Sequence, residues 1–195
     1  MNFTEEQLAF RDSVRRMVEQ HVAPIAAEID ENDRFPEELI PIYGDMGLLQ
    51  LWVPEEYGGP GANVTMVCLA REEIAKVSEA CALMAGMNNM FALPLMHFGS
   101  KEQKQKYLPL LAKGRTATAI AISEPDCGSD VGGMRTRAVR DGDSYVLNGQ
   151  KQWCTFGSRA DYIMLFAKSG DGGGANDISA FIIDVKNSKG LTFGR

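Results

Sequence analysis

The sequence has no C-x-x-C pair, only two histidines (His21, His97), and four cysteines (Cys68, Cys81, Cys127, Cys154) that lie far apart. A structural zinc site needs soft ligands at close spacing, so none is expected, and free thiols in a reducing cytosol are the ordinary reading. Positive charge is not in excess either. The 20 Lys and Arg are outnumbered by 26 Asp and Glu, the formal net charge is -6, and no basic stripe marks a phosphate-binding face. A nucleic-acid partner is not expected. Long apolar runs are missing as well: the most apolar stretch, residues 80–96, is broken by Asn88, Asn89 and Pro94 and is too short to span a bilayer, so it reads as one core helix. Residues 1–7 are acidic and polar rather than basic and then apolar, which argues against a secretion signal at this start. What is there is 195 residues with 45% hydrophobic and 24% charged content, a globular chain long enough for one large domain or two small ones.

The first half carries helical spacing. Thr4 with Gln7 makes a capping box and Phe3 with Leu8 a hydrophobic staple, so a helix is predicted to start at residue 4 or 5. Leu8, Val14, Met17, Val18, Val22 and Ile25 mark its buried face, and Pro24 should kink or restart it. A second helix is predicted from the Phe35-Pro36-Glu37-Glu38 stretch, with Gly47 as its C-cap. The Gly- and Pro-rich residues 54–61 form a shaped loop, after which 64–77, 80–98 and 101–113 read as further helices, about five in all and enough for a bundle. Met84, Met87, Met90 and Met96 read as core filler rather than a ligand pocket.

From Thr116 the period changes to short runs of β-formers between turn residues, the pattern of antiparallel sheet. The fold class is therefore α+β: an all-α helical bundle over residues 1–114, then an antiparallel β-barrel-like domain over 115–195 that is incomplete at its C-terminal end. Asp141-Gly142-Asp143 joins strands at 135–140 and 144–147, and Asn148-Gly149 leads into a further strand at 150–155. Residues 162–167 and 179–185 are two more strands around the Gly-rich loop 169–177, and 191–193 is a last strand-like run with an open edge.

Two stretches carry candidate chemistry. Residues 121–130 place small residues and hydroxyls just after a strand, with glycines that let a ligand approach the backbone, as a cofactor-phosphate loop requires; a turn held by Asx and Ser bonds is the structural alternative. In 152–155, strand alternation would send Trp153 and Thr155 to one face and Cys154 to the other. An aromatic plane beside a hydroxyl suits a flat heteroaromatic ring, although a core tryptophan is the simpler explanation of Trp153 taken alone.

These stretches resemble the acyl-CoA dehydrogenase family. The resemblance spans the whole chain in four ordered blocks: PEEYGGPGA at 54–62, GSKEQKQKYLPLLAKG at 99–114, AISEPDCGSDVGG at 121–133 and LNGQKQWCTFGSRAD at 147–161. It implies FAD as cofactor, with Ile120, Ile122 and Ser123 at the flavin ring, Ser129 by the pyrophosphate and Gly128 among the cofactor-binding residues. Ser129 would also lie beside the acyl-CoA substrate. Trp153 would pack on the isoalloxazine and Thr155 would hydrogen-bond near N5, while Cys154, in the same cofactor-binding stretch, would point away from the flavin. The implied reaction removes the α-proton of an acyl-CoA with a carboxylate base and transfers hydride from the β-carbon to FAD, giving a trans-2-enoyl-CoA. Electrons would pass to an electron-transferring flavoprotein, and the complete protein would be a cytoplasmic homotetramer of fatty acid metabolism.

Three positions depart from the usual pattern: Cys127, Cys154 and Phe156. Packing is the expected role of Cys154, and a redox role for Cys127 is the weaker reading of that thiol. Family members run to roughly twice this length, and the remainder is a C-terminal helical bundle that supplies the catalytic glutamate. Accordingly none of Glu28, Glu55, Glu56, Glu72, Glu73 or Glu124 matches a base; Glu124 reads as a structural carboxylate bonded to loop backbone. The chain is then expected to be inactive alone, as the N-terminal part of the enzyme. The alternatives are a non-catalytic flavin or acyl-CoA binding or assembly module, or an enoyl-CoA reductase of the same family.

Overall fold

In the computed structural model, which describes residues 2–194, the first helix starts where its cap predicts. The Gln7 N–H donates to the Thr4 hydroxyl at 3.2 Å and the Thr4 N–H to the Gln7 side chain at 3.1 Å, opening α1 (Glu5–Met17). The helix widens into a π turn at Val18–Val22, with the Ala23 N–H bonded to the Val18 carbonyl at 2.9 Å, and Pro24 ends it before α2 (Ala26–Glu31). The next helix, α3 (Leu39–Asp45), begins later than expected from Pro36. The Leu39 N–H donates to the Pro36 carbonyl at 3.0 Å and that of Ile40 to Glu37 at 3.1 Å, so the proline opens a tight i+3 turn ahead of the helix proper. Gly47, at φ +76°, follows as the expected left-handed C-terminal stop.

The 54–61 loop is indeed shaped: a short 3-10 turn at Glu55–Tyr57 is closed by the Gly61 N–H on the Val53 carbonyl at 2.9 Å. Helix α4 (Val64–Ala75) follows, capped by Asn63. The single helix expected over 80–98 is two, α5 (Glu79–Ala85) and α6 (Asn89–Phe98). Gly86 has low helix propensity, and the Asn88 side chain donates to the Thr116 carbonyl at 2.8 Å, so this turn is fixed from outside the helix. Helix α7 (Lys101–Ala112) has its own capping box, Ser100 with Gln103. Met84 and Met87 are buried, as core filler should be, whereas Met90 is half exposed. Tyr43, Phe91, Leu39, Leu48, Leu49 and Ile74 are sealed completely in the core of this unit, residues 1–116. No helix among the described residues is long and apolar enough to cross a membrane.

One charge is buried among these helices. Glu73 of α4 receives Arg15 of α1 through Nε at 3.0 Å and Nη2 at 3.1 Å, and Lys76 Nζ at 2.7 Å. Arg15, helped by Lys76, outweighs the effect of burial and holds the Glu73 carboxyl at about 2.

Residues 117–195 form the second unit, a five-stranded sheet of β1 (Thr118–Ala121), β2 (Arg137–Asp141), β3 (Ser144–Asn148), β4 (Tyr162–Lys168) and β5 (Ile178–Asp184). The sheet is mixed rather than purely antiparallel, because β1 runs parallel to β4 from Thr118↔Tyr162 to Ala121↔Leu165. β5 pairs antiparallel along the whole of β4, so β1 and β2 share the opposite edge of that strand. The β2–β3 hairpin turns at Gly142-Asp143, with Asp141 opposite Ser144, as the sequence predicts. Neither β3 nor β5 has a second partner among the described residues, and the sheet does not close into a barrel. Residues 191–194 form no strand, contrary to expectation. The core is built on small side chains: Ala119, Ala121, Ala160 and Ile163, with Cys154, Leu165, Ile183 and Val185 packed against them.

Candidate functional site

The carboxyl end of β1 runs into Ile122 and Ser123 and then into a tight turn. The Glu124 N–H donates to the Cys127 carbonyl at 2.8 Å and the Cys127 N–H to the Glu124 carbonyl at 3.1 Å, with Pro125 and Asp126 at the corner. The Cys127 thiol is buried and donates to the Asp130 carbonyl at 3.1 Å, a packed and bonded position unlike that of a redox sensor. Gly128 and Ser129 follow on the surface, and a Cβ added at Gly128 would meet nothing within 4 Å. Space for close approach to the backbone therefore exists there.

Glu124 anchors the loop from beneath. Its carboxylate accepts the Arg135 N–H at 2.6 Å, the Thr136 N–H at 3.0 Å and Lys151 Nζ at 2.8 Å. Burial pushes this carboxyl up, but Lys151, Thr136 and Arg135 outweigh it and hold it at about 2. It is the backbone-bonded structural carboxylate that the sequence suggests. Lys151 was not among the residues singled out from sequence; the one signal was a lysine set in an otherwise uncharged run between Gly149 and Phe156.

Residues 150–155 are not the strand that alternation predicts, and no second hairpin forms at Asn148-Gly149. Trp153 (φ +58°) and Phe156 (φ +63°) both adopt the left-handed conformation, which interrupts extended backbone. At Gly149 an added Cβ would lie 2.3 Å from the Thr136 hydroxyl, so only glycine lets the chain pass. The segment then lies along the free edge of β1 in the opposite direction. Lys151 Nζ donates to the Ile122 carbonyl at 2.9 Å, the Gln152 N–H to the Ser123 carbonyl at 2.8 Å and Cys154 Sγ to the Ile120 carbonyl at 3.2 Å. Cys154 is thus part of the sheet core, and burial pushes its thiol up. Trp153 is 82% exposed and Thr155 is exposed too, so the division between these side chains matches the expected one although its cause is not a strand.

The structure therefore brings Ile120, Ile122 and Ser123 together with Trp153, Cys154 and Thr155, and the Glu124–Cys127 bridge leads from them into Gly128 and Ser129. The carbonyls of residues 120, 122 and 123 are engaged from the 151–154 side. The hydroxyls of Ser123, Ser129 and Thr155 have no protein partner among the described residues. A surface with its acceptors occupied, hydroxyls unspent and an indole in the open fits a planar, acceptor-rich heteroaromatic ring.

Comparison with known proteins identifies the family. The family model described as "Acyl-CoA dehydrogenase, N-terminal domain" matches residues 4–115, and the one described as "Acyl-CoA dehydrogenase, middle domain" matches residues 119–195. An acyl-CoA dehydrogenase of Bacillus subtilis is 40% identical over 196 residues, covering 100% of this chain and 52% of the relative. The butyryl-CoA dehydrogenase of Megasphaera elsdenii superposes with a TM-score of 0.93 at 32% identity, over 100% of this chain and 52% of that one. A structure described as the FAD complex of PigA does so with a TM-score of 0.90 at 28% identity, over 100% of this chain and 51% of that one. A helical unit followed by a mixed sheet is the class of fold that these structures share with the chain. The chain belongs to the acyl-CoA dehydrogenase family, and it spans about half the length of the curated relatives it matches.

Proposed function

We propose that this chain supplies the flavin-binding face of a FAD-dependent acyl-CoA dehydrogenase that converts an acyl-CoA thioester to a trans-2-enoyl-CoA and passes electrons to an electron-transferring flavoprotein. The observation that carries the reading is Trp153, a large aromatic residue held in left-handed backbone and 82% exposed beside a loop with unspent hydroxyls. Such strain under a ring left largely open to solvent is the mark of a surface shaped for a ligand.

FAD, when bound, supplies the hydride acceptor. Trp153 would stack on the isoalloxazine and Thr155 would donate its hydroxyl to the ring. Ile120, Ile122 and Ser123 would frame the ring from the β1 edge, with Cys154 holding the Ile120 carbonyl from the sheet core. Gly128 and Ser129 would receive the pyrophosphate, with Ser129 also near the acyl-CoA. The α-proton would leave to a carboxylate outside residues 1–195. Within the chain, Glu28 is paired with Arg34, Glu73 with Arg15 and Lys76, and Glu124 with Lys151, so these carboxylates are already engaged.

Anaerobic mixing of the complete polypeptide with a panel of saturated acyl-CoAs tests this reading. Bleaching of the flavin absorbance is expected with at least one of them, and Trp153→Ala and Thr155→Val should slow it by roughly ten- to a hundredfold while the helical unit stays folded. Unchanged bleaching in both variants would refute the site. A flavin that responds to enoyl-CoA and a reductant but to no saturated acyl-CoA would favour the reductase, and a polypeptide of this length in its natural source would favour the binding module.

A further inference from the structure

The side chain of Lys151 is only 8% exposed, an expensive place for an ammonium group. It is not needed to close the signature loop, because Glu124 already holds the Arg135 and Thr136 N–H groups. What Lys151 adds is a link across the gap between the two halves of the candidate site. Its ammonium meets Glu124 Oε1 at 2.8 Å, the Ile122 carbonyl at 2.9 Å and the Met134 sulfur at 4.0 Å. Beyond it, the Gln152 N–H and the Cys154 thiol take the Ser123 and Ile120 carbonyls. Of these three contacts between 151–154 and the edge of β1, the lysine makes the one with a full charge.

We propose that Lys151 is a positioning residue for the flavin, an inference that rests on the functional reading above. By holding the Ile122 carbonyl and the Glu124 carboxylate beneath the surface, it sets the register at which Ser123 and the Trp153–Thr155 stretch form one donor-lined seat. It touches no reacting atom itself. Its effect passes through the backbone of residues 120–124 and 151–155, as that of a supporting residue does. Charge neutralisation of Glu124 is a separate role of the same ammonium, and the two can be told apart. Replacing both partners removes the buried charge but does not restore the bond to the Ile122 carbonyl.

The test uses apoprotein of the complete polypeptide, titrated with FAD by fluorescence, in wild type, Lys151→Met and the Glu124→Gln, Lys151→Met double variant. Amide hydrogen exchange at residues 120–124 and 151–155 is followed without FAD, and urea unfolding gives the stability of each. The expected result is a Kd for FAD weakened about ten- to a hundredfold in both variants, with faster exchange at those amides in both, although the double variant recovers part of the stability lost in the single one. FAD affinity that returns with stability in the double variant would overturn the proposal and leave Lys151 a counter-ion. Wild-type affinity or unchanged exchange in Lys151→Met would overturn it as well. Failure of the wild-type apoprotein to bind FAD would instead overturn the functional reading, and the flavin role of Lys151 with it.

Discussion

The helical unit and the sheet unit each bury one carboxylate, and each holds it at about 2, yet the two are solved differently. Glu73 is met by side chains alone, Arg15 and Lys76, whose own exposures are 45% and 52%. Glu124 is met by two backbone N–H groups and by a lysine that is itself buried and bonded to a backbone carbonyl. The first arrangement ties one helix to another and leaves its cations in contact with water. The second fixes the course of the backbone on either side of the surface proposed for the flavin. A similar lowering of both carboxyls thus conceals a difference in role: a brace between elements in one unit, a frame for the proposed site in the other.

Mutation should separate the two. Lys151→Met leaves Glu124 buried without its counter-ion and should cost about 3–5 kcal/mol in urea unfolding, the largest effect expected here. Glu73→Gln keeps a polar group of the same size and lets both cations turn to solvent, leaving no buried charge unpaired, so a smaller loss of about 1.5–3 kcal/mol is expected from the same measurement. A loss as large as that of Lys151→Met would erase the comparison.

The acid limb adds a second test. Both carboxyls sit at about 2 when folded against an ordinary value of 4.5, so the unfolded chain takes up protons first as the pH falls. Their stabilisation is complete above about 4.5 and is lost progressively towards 2. Urea midpoints measured across this window should fall less steeply in Glu73→Gln than in wild type; an identical slope would show that Glu73 does not carry its share. The smallest effect has the opposite sign. Trp153→Asn puts a residue tolerant of left-handed backbone at φ +58° and should raise stability by about 1 kcal/mol in thermal unfolding while weakening flavin reduction.

Local chemistry was legible from sequence and distant pairing was not. Thr4 with Gln7, Gly47 and the turn at Gly142-Asp143 act through bonds or dihedral angles within a few residues, and each lies where the sequence places it. The family blocks likewise mark the stretches that converge. The strand expected at 150–155 does not form because Trp153 and Phe156 take left-handed backbone, and the free edge of β1 is met by one backbone N–H, a lysine and a thiol instead of a ladder. Lys151 stayed hidden because its partner Glu124 is 27 positions away. The parallel pairing of β1 with β4 is also long-range, and nothing local distinguishes it from an antiparallel one.

That parallel pairing governs the order in which the sheet unit assembles. β4 and β5 are neighbours in the chain and can zip together as soon as their connecting loop closes. β1 must wait for the long intervening segment to fold back before it finds its place on β4, so its docking is the late, high-contact-order step that follows the folding barrier. Mutations that weaken the β4–β5 hairpin should therefore slow folding, whereas those at the β1 edge should chiefly hasten unfolding. The surface assigned to the flavin hangs on the last strand to arrive, which makes it the first part of the sheet to be lost when the chain opens.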